Sequence, residues 1–409
     1  MKKLLYFLFL IPFLTHAQYT GTGSVTQGLA TTTVTNIYTC AGGRIPDIGT
    51  ITATNATVWT VPGDVNFTNP SFPFASDLYN SCIGATYAND GVALAALNGS
   101  DIVTIDSAGE LITAFIFADN YFEMYINGVP VGKDNVPYTQ FNSNIIRFRV
   151  NKPFTIAMLL VDWEEHLGVG CENNNGFQYH MGDGGMVAVF KDSTNTIIEI
   201  TGSDWKAQTF YTSPIIDLTC PSENGSLRLT NTCNTQDSNN GTGYYGLHWI
   251  KPSNWMDPSF NDSIFPQATI YSNATVGVNN KPAYTNFTNI FDDATHDAQF
   301  IWSTNLILDN EVIVRHTVSA TTGILENENI NKSIRIYPNP ASKEFKIAID
   351  NSINKSEIKS ISIFNALGEK VYETNKYSDK ISLENITKGI YAVKIIIADT
   401  AVVKMLVVQ

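Results

Sequence analysis

The stretch IRIYPNP at residues 334–340 opens a carboxy-terminal segment whose pattern decides its fold. Gly, Asn, Asp or Pro separates the runs of β-branched and aromatic residues that follow: ISIFN at 361–365, GIYAVK at 389–394 and VVKMLVV at 402–408. Short runs of this kind, alternating or wholly apolar, are typical of β-strands bounded by turns. The sequence therefore predicts a small all-β sandwich over residues 333–409.

The order of these motifs resembles the type A C-terminal sorting domain of the type IX secretion system. The resemblance rests on YPNP at 337–340, NALGEKV at 365–371, GIYAVK at 389–394 and the Lys-Val strand at the end of the sequence. It implies an Ig-like sandwich and an interaction with the type IX secretion machinery. It also implies export across the outer membrane of a Gram-negative bacterium of the Bacteroidetes kind, but nothing about the exported body.

The amino terminus has the pattern of a signal peptide. Lys2 and Lys3 precede an apolar run at residues 4–14, and Thr15 and Ala17 are the small residues expected before a cleavage site. The apolar run is too short to cross a bilayer, which takes about 20 residues. We therefore expect residues 1–17 to be cleaved, no transmembrane anchor, and a mature protein that is secreted or held at the cell surface.

Charge is distributed unevenly along the chain. Residues 331–409 contain 12 Lys and Arg against 8 Asp and Glu, whereas residues 18–330 contain 11 against 30. A body this acidic repels nucleic acid and anionic membrane surfaces, so nucleic-acid binding is excluded. The acidity either keeps an exported protein soluble or supplies carboxylates that cluster around Ca²⁺.

All five cysteines lie in the body, and cysteines of exported proteins are usually paired. Cys220 and Cys233 enclose a turn-rich loop and form the first predicted disulfide. Cys40 with Cys82 is the second, weaker pairing. Cys171 is then left as a buried, inert thiol, because nothing near it in the sequence specifies the base that a nucleophile needs.

The body, residues 18–318, is predicted to be a β-sandwich without helices. Its clearest hairpin runs from 121 to 131, where apolar side chains alternate and Asn127-Gly128 supplies a two-residue turn. Residues 144–150 alternate again, and residues 156–161 are apolar throughout, which predicts a central strand buried on both faces. The polar stretch 319–332 is the predicted linker to the sorting domain.

Three phrases of the body resemble galactose-binding-like jelly-roll modules of bacterial glycoside hydrolases. They are ADNYFEMYINGVPVG at 118–132, PSFNDSIFPQA at 258–268 and AQFIWSTNLILDNEVIVRHTV at 298–318. Asn261 and Phe265 depart from the Asp and Trp usual in the second phrase, and the phrases occur in an unusual order. The resemblance implies a large jelly-roll-like sandwich with elaborations, a fold that hosts sugar binding, scaffolding and protein contacts alike.

The predicted site follows the central strand, where the chain has DWEEHLGVG at 162–170. Its ligand candidates are Asp162, Trp163, Glu164, Glu165 and His166, followed by the turn residues His180 and Asp183. Carboxylates accept hydrogen bonds from sugar hydroxyls, and an indole can stack on a pyranose. Asp162, Glu164 and Glu165 are also candidate Ca²⁺ ligands. The competing interpretation is a solvated loop with a core tryptophan, and for His180 and Asp183 ordinary turn chemistry.

His248 and His316, within apolar strand patterns, are predicted to be structural.

Catalytic signatures are largely missing from the sequence, which has no GxSxG, HExxH or phosphate-binding glycine loop. With 30 acidic residues between 18 and 330, a carboxylate pair for glycoside hydrolysis can be neither nominated nor excluded. We therefore expect a non-enzymatic carbohydrate-binding module. The alternatives are a structural or adhesive surface protein without a small ligand, and a secreted polysaccharide hydrolase.

Overall fold

The computed structural model describes residues 19–293, 295–319, 334–349, 355, 358–365, 369–397 and 400–409. The chain divides into two compact units, with the division after Ser319. The predicted signal peptide and, apart from Ser319, the predicted linker lie outside the described residues.

Strands that pair antiparallel, except that residues 102–104 pair parallel with residues 147–149, build the first unit. They are β1 (Ser24–Gln27), β2 (Thr31–Val34), β3 (Ile48–Thr52), β4 (Val58–Val61), β5 (Ser76–Asn80), β6 (Ala85–Thr86), β7 (Ile102–Thr104), β8 (Glu110–Asp119), β9 (Tyr121–Ile126), β10 (Val129–Lys133), β11 (Ser143–Val150), β12 (Phe154–Val161), β13 (Cys171–Asn174), β14 (Phe177–Met181), β15 (Gly185–Lys191), β16 (Ile197–Ile200), β17 (Lys206–Ile215), β18 (Ser222–Asn224), β19 (Leu227–Leu229), β20 (Tyr245–His248), β21 (Thr269–Tyr271), β22 (Asp292–Asp293), β23 (His296–Asp297), β24 (Phe300–Trp302) and β25 (Asp309–Val318).

Two large sheets contain most of these strands. The first has the order β1-β20-β17-β25-β12-β9-β10, and the second has the order β21-β24-β15-β8-β11-β5-β6, with β16 added beside β15 and β7 beside β11. Smaller sheets form from β2-β3-β4, β13-β14, β18-β19 and β22-β23. The all-β prediction is confirmed, whereas the resemblance of the body to galactose-binding-like jelly rolls stays a prediction.

The expectation of a body without helices needs a correction. Within the described part of the body there are four short α-helices, α1 (Asp90–Ala96), α2 (Asn273–Val276), α3 (Pro282–Thr285) and α4 (Thr288–Phe291), together with 3₁₀ turns at Gly99–Asp101, Asp262–Ile264 and Val278–Asn280. A helix of one or two turns is too short to show a 3.6-residue periodicity in the sequence. α1 begins instead with a local signal, since the Asn89 side chain accepts from the Val92 N–H.

The central hairpin and the buried strand are placed as the sequence predicts. Asn127 and Gly128 have positive φ angles of 50° and 80° and join β9 to β10. Phe122, Met124 and Ile126 of β9 enter the main core, which also contains side chains of the second sheet. Tyr121 and Tyr125, on the other face of β9, belong to a second core that is rich in aromatic residues. β12 lies between β25 and β9 and contributes to both cores, which explains why residues 156–161 are all apolar.

The second unit is a small two-sheet structure. Its strands are β26 (Ile334–Tyr337), β27 (Glu344–Ile349), β28 (Ile358–Phe364), β29 (Lys370–Thr374), β30 (Lys380–Ser382), β31 (Gly389–Ile397) and β32 (Thr400–Val408). They form the sheets β26-β27-β30 and β29-β28-β31-β32 around an aliphatic core of their own.

Both predicted disulfides are present. Cys40 pairs with Cys82, and Cys220 pairs with Cys233. Cys171 is buried as a free thiol whose Sγ lies 3.2 Å from the Val169 carbonyl oxygen. Each bridge ties a loop segment of the body to a second segment, 42 and 13 residues away in the sequence.

Candidate functional site

Three aspartates that are distant in sequence meet at one end of the two large sheets. Asp119 is the last residue of β8, and Asp162 directly follows β12. Asp183 precedes β15, whose first residue, Gly185, pairs with Asp119. The strand ends alone therefore bring the three carboxyl groups to one region.

Asn120 connects these strand ends where the chain crosses from one sheet to the other. Its backbone N–H donates to the Val161 carbonyl at 3.2 Å, and its Oδ1 accepts from the Trp163 N–H at 2.6 Å. Its Nδ2 donates to Asp119 Oδ1 at 2.7 Å. Asn120 thus fixes the ends of β8 and β12 relative to each other.

A cavity of about 310 Å³ opens between these strand ends and the β13–β14 hairpin. We call it the acidic pocket, and its lining includes Asp119, Asn120, Asp162, Asp183, Arg44, Glu172, His180 and Lys281. Its volume lies at the lower end of the range of about 300–1,000 Å³ typical of small-molecule sites.

Asp162 is the most unusual residue of the acidic pocket. Its exposure is 7%, and within the described part of the chain its carboxylate has no hydrogen-bond or ion-pair partner. A Cβ at Gly182 would lie only 3.0 Å from Asp162 Oδ2, so glycine at this position lets the turn pass close to the carboxylate. A largely buried carboxyl group loses much of its hydration, and a ligand that donates hydrogen bonds in the pocket would offset that cost.

The three aspartates disfavour one another's ionisation. Burial raises the pKa of Asp162 well above its usual range, and the nearby charges of Asp183 and Glu172 raise it further. Burial and the charges of Asp183 and Asp162 act in the same direction on the pKa of Asp119. Burial raises the pKa of Asp183 to about 6, against the opposing charge of Lys281. Perturbed carboxyl groups that share a cavity mark a candidate binding or catalytic site.

The cationic side chains of the pocket compensate this charge only in part. Arg44 Nη1 is 2.8 Å from Glu165 Oε2, and Nη2 is 3.3 Å from Glu172 Oε1. The Arg44 charge is therefore already paired with two glutamates. Lys281 Nζ lies 4.2 Å from the centre of the Phe141 ring. His180 Nδ1 lies 2.8 Å from Asp237 Oδ2 at the edge of the pocket. The pocket consequently keeps an excess of acidic groups.

The predicted site residues separate into two groups. The acidic pocket brings together Asp162, His180 and Asp183. Trp163 instead is 2% exposed and packs edge-on against Tyr121, with its Nε1 donating to the Asp47 carbonyl at 3.1 Å. It is therefore a core residue rather than a surface for sugar stacking.

Glu164 and His166 also make structural contacts. Glu164 accepts hydrogen bonds from the N–H groups of Gly168 and Gly170 and from the Tyr211 hydroxyl. Burial raises its pKa to about 7, although these donors oppose the shift. His166 Nε2 lies 2.8 Å from the Gln178 carbonyl. Both side chains hold the 162–170 segment in place.

The predicted Ca²⁺ ligands do not converge. Asp162 lines the pocket, Glu164 turns to the backbone of its own loop, and Glu165 pairs with Arg44. Alternation along an extended chain separates Glu165 from Glu164, whereas Asp162 and Glu164 diverge because Glu164 accepts from the N–H groups of Gly168 and Gly170. Among the described residues, the three groups that bring metal-capable atoms within 4.8 Å of one another are Glu199, Asp204 and His316.

That second cluster is organised around an imidazole. His316 Nε2 is 3.0 Å from Glu199 Oε2, and its Nδ1 is 3.9 Å from Asp204 Oδ2. The ring also stacks on Trp205 at 5.2 Å. Burial alone would lower the pKa of His316, but the bond to Glu199 raises it, so the imidazolium itself supplies the positive charge between the carboxylates.

Sequence reasoning did not nominate Asp119, Asn120, Glu172 or Lys281 as site residues. A polar Asp-Asn pair between the apolar runs of β8 and β9 was a usable signal for the first two, because polar residues rarely interrupt such runs without a role. Glu172 and Lys281 reach the pocket only through the tertiary fold, and no local pattern distinguishes them.

Comparison with known proteins identifies the second unit. Residues 335–409 match the family described as the secretion system C-terminal sorting domain. This domain implies an interaction with the type IX secretion machinery and a secreted or cell-surface protein. No curated protein matches the chain. Among the described residues no helix is both long and apolar enough to cross a membrane.

Solved structures resemble the chain only loosely. PorZ, a surface component of the type IX secretion system of Porphyromonas gingivalis, is 17% identical over 27% of this chain and 15% of its own, with a TM-score of 0.17. A Faecalibacterium prausnitzii β-glucuronidase is 9% identical over 75% of this chain and 36% of its own, with a TM-score of 0.18. Dimeric latent PorU from P. gingivalis is 11% identical over 94% and 34%, with a TM-score of 0.16. Likenesses this weak support no inference about the body.

Proposed function

We propose that the body is a carbohydrate-binding module, exported by a bacterium of the Bacteroidetes kind, and that its ligand occupies the acidic pocket. The observation that carries the proposal is the buried Asp162 carboxyl group, which lines the pocket and has no side-chain hydrogen-bond partner among the residues that the structure describes. Sugar hydroxyl groups donate hydrogen bonds, and Asp162, Asp183 and Asp119 offer several acceptors within one cavity.

Charge restricts the class of ligand further. Arg44 is engaged by two glutamates, and the remaining pocket groups are mainly carboxyls. An anionic ligand would meet repulsion there, as would phosphate or nucleic acid. Neutral sugar units, with many donors and no negative charge, fit these groups best.

A glycan array with the purified protein tests the proposal. We expect binding to one class of neutral glycan and at least a tenfold loss of affinity in Asp162→Asn, because the amide places an NH₂ donor where the carboxyl group has an oxygen that can accept from a sugar hydroxyl. Asp217→Asn is the matched control, since Asp217 is exposed and lies outside the pocket. An array without any binder would favour the structural or adhesive alternative and remove this function.

A hydrolase is the second candidate, and one observation favours it. Asp162 and Asp183 line one cavity, and both have raised pKa values, as the acid partner of a glycosidase pair requires. A reducing-end assay on polysaccharides that bind the protein distinguishes the two functions. Turnover that Asp183→Asn abolishes while binding persists would establish the hydrolase; binding without turnover supports the module.

A further inference from the structure

A second, more open cavity adjoins the acidic pocket. It has a volume of about 590 Å³ and is lined by Phe177, His180, Met181, Gln236, Asp237 and Ile307. We call it the outer groove. His180 lines both the acidic pocket and the outer groove, so the two cavities lie side by side at this residue.

His180 has a fixed position at this junction. Its Nδ1 lies 2.8 Å from Asp237 Oδ2, and Asp237 Oδ1 accepts from the Met181 N–H at 3.2 Å. Within β14, His180 is also paired in register with Glu172, which lines the acidic pocket. The boundary between the two cavities is therefore a braced side chain on a strand rather than a loose loop.

Phe177 gives the outer groove a different chemistry from the acidic pocket. It is 41% exposed, although large apolar side chains are normally buried, and it shares the groove with Met181 and Ile307. An exposed aromatic ring packs well on the apolar face of a pyranose, while Gln236 and Asp237 can bond its hydroxyl groups. The groove thus has both kinds of contact that one further sugar unit needs.

We infer that the ligand is an oligosaccharide chain rather than a single sugar, with one unit in the acidic pocket and the next units passing His180 into the outer groove over Phe177. This inference rests on the proposed carbohydrate-binding function. The recognised ligand is then a chain of several sugar units, because a single unit would leave the outer groove and the exposed Phe177 ring without a contact.

Calorimetry with a length series tests the inference. The probes are the mono-, di-, tri-, tetra- and hexasaccharide of the glycan that binds best on the array, each titrated into the purified protein. We expect affinity to rise at least tenfold from one unit to three or four and then to level off. Phe177→Ala should weaken the longer ligands about three- to tenfold, the range of one aromatic contact, and leave the monosaccharide unchanged.

Two variants separate this inference from the function on which it rests. Asp162→Asn should weaken every length equally, because each ligand has a unit in the acidic pocket. Phe74→Ala is the aromatic control, since Phe74 is 53% exposed and lines neither cavity. Equal affinity for all lengths, or no effect of Phe177→Ala, would overturn the inference and leave carbohydrate binding intact. If no glycan binds, both ideas fail together.

Discussion

Two histidines of the body, the buried His248 and the partly buried His316, lie in opposite electrostatic surroundings. The His248 ring is stacked between Tyr211, at 4.4 Å, and Trp59, at 5.2 Å, and its Nε2 lies 3.0 Å from Thr26 Oγ1. Burial lowers the pKa of His248 to about 3. His316, by contrast, faces Glu199 and Asp204, and its pKa is raised. Both side chains are structural, as their apolar strand patterns indicate.

These shifts give the two histidines opposite effects on stability. The folded pKa of His248 lies below the value of about 6.5 in an unfolded chain, so the unfolded state takes up the proton first as pH falls. Its contribution therefore declines from about pH 6.5 towards pH 3, by at most about 1.4 kcal/mol per pH unit. The contribution of His316 is fully present below about pH 6.5 and is lost as pH rises through its raised folded pKa.

An NMR titration of the histidine side chains measures both groups directly. We expect His248 to remain neutral at pH 5 and His316 to remain protonated at pH 6.5, because their neighbours favour those states. His316→Gln removes one signal and so assigns the raised pKa. A His248 resonance that titrates near pH 6.5 would contradict the buried, stacked environment.

The residues of the acidic pocket show how far sequence reasoning reaches at this scale. Asp162, His180 and Asp183 were predicted because polar residues follow an apolar strand or lie beside glycines. Trp163, Glu164 and Glu165 have the same local pattern, yet they face the core, the loop backbone and Arg44. The direction in which each side chain points depends on the path of the backbone after the strand, and no local sequence pattern specifies that path.

At the scale of elements, the turn between β9 and β10 is the clearest case in which sequence dictates geometry. Asn127 and Gly128 both have positive φ, as a two-residue turn of type I′ requires. Gly128 also lies close to the loop at Asp257, whose Oδ1 would be 3.1 Å from an added Cβ. The positive φ and this close contact therefore leave little room for a side chain at position 128.

Replacing Gly128 should weaken the hairpin measurably. We expect Gly128→Ala to destabilise the body by about 1–2 kcal/mol, because alanine resists a positive φ. Urea unfolding monitored by tryptophan fluorescence measures the change. Gly99→Ala is the control: no atom lies within 4 Å of its added Cβ, and an effect within about 0.5 kcal/mol is expected. Equal stability of both variants with the parent protein would show that the turn does not need glycine.

The strength of the local sequence pattern decides which elements are predictable. β9, β11 and β12 show strong periodicity or unbroken apolarity, so their existence and buried faces follow from the sequence. The order of strands in the two sheets does not, since β12 pairs with β25 across more than 140 residues. Such long-range pairing depends on the packing of the whole body rather than on any one segment.

At the scale of the whole molecule, two units with separate cores carry opposite charge. The acidic body contains the candidate site, and the second unit, which is basic over residues 331–409, contains the sorting domain. Among the described residues, the core of the second unit is formed by residues 334–408 and the cores of the body by residues before Ser319. We therefore expect the body to fold without the sorting domain, because its described cores are formed by its own residues.

Deleting residues 334–409 tests this expectation together with the export route. The predicted signal peptide should still carry the truncated protein into the periplasm, but without the sorting domain it should not cross the outer membrane. Fractionation of cells should find it in the periplasm, folded, with both disulfides formed and glycan binding unchanged. Fusing residues 319–409 to a periplasmic reporter is the reciprocal control, and the reporter should then reach the surface or the medium. Normal levels of the truncated protein outside the cell would show that its export does not depend on the sorting domain.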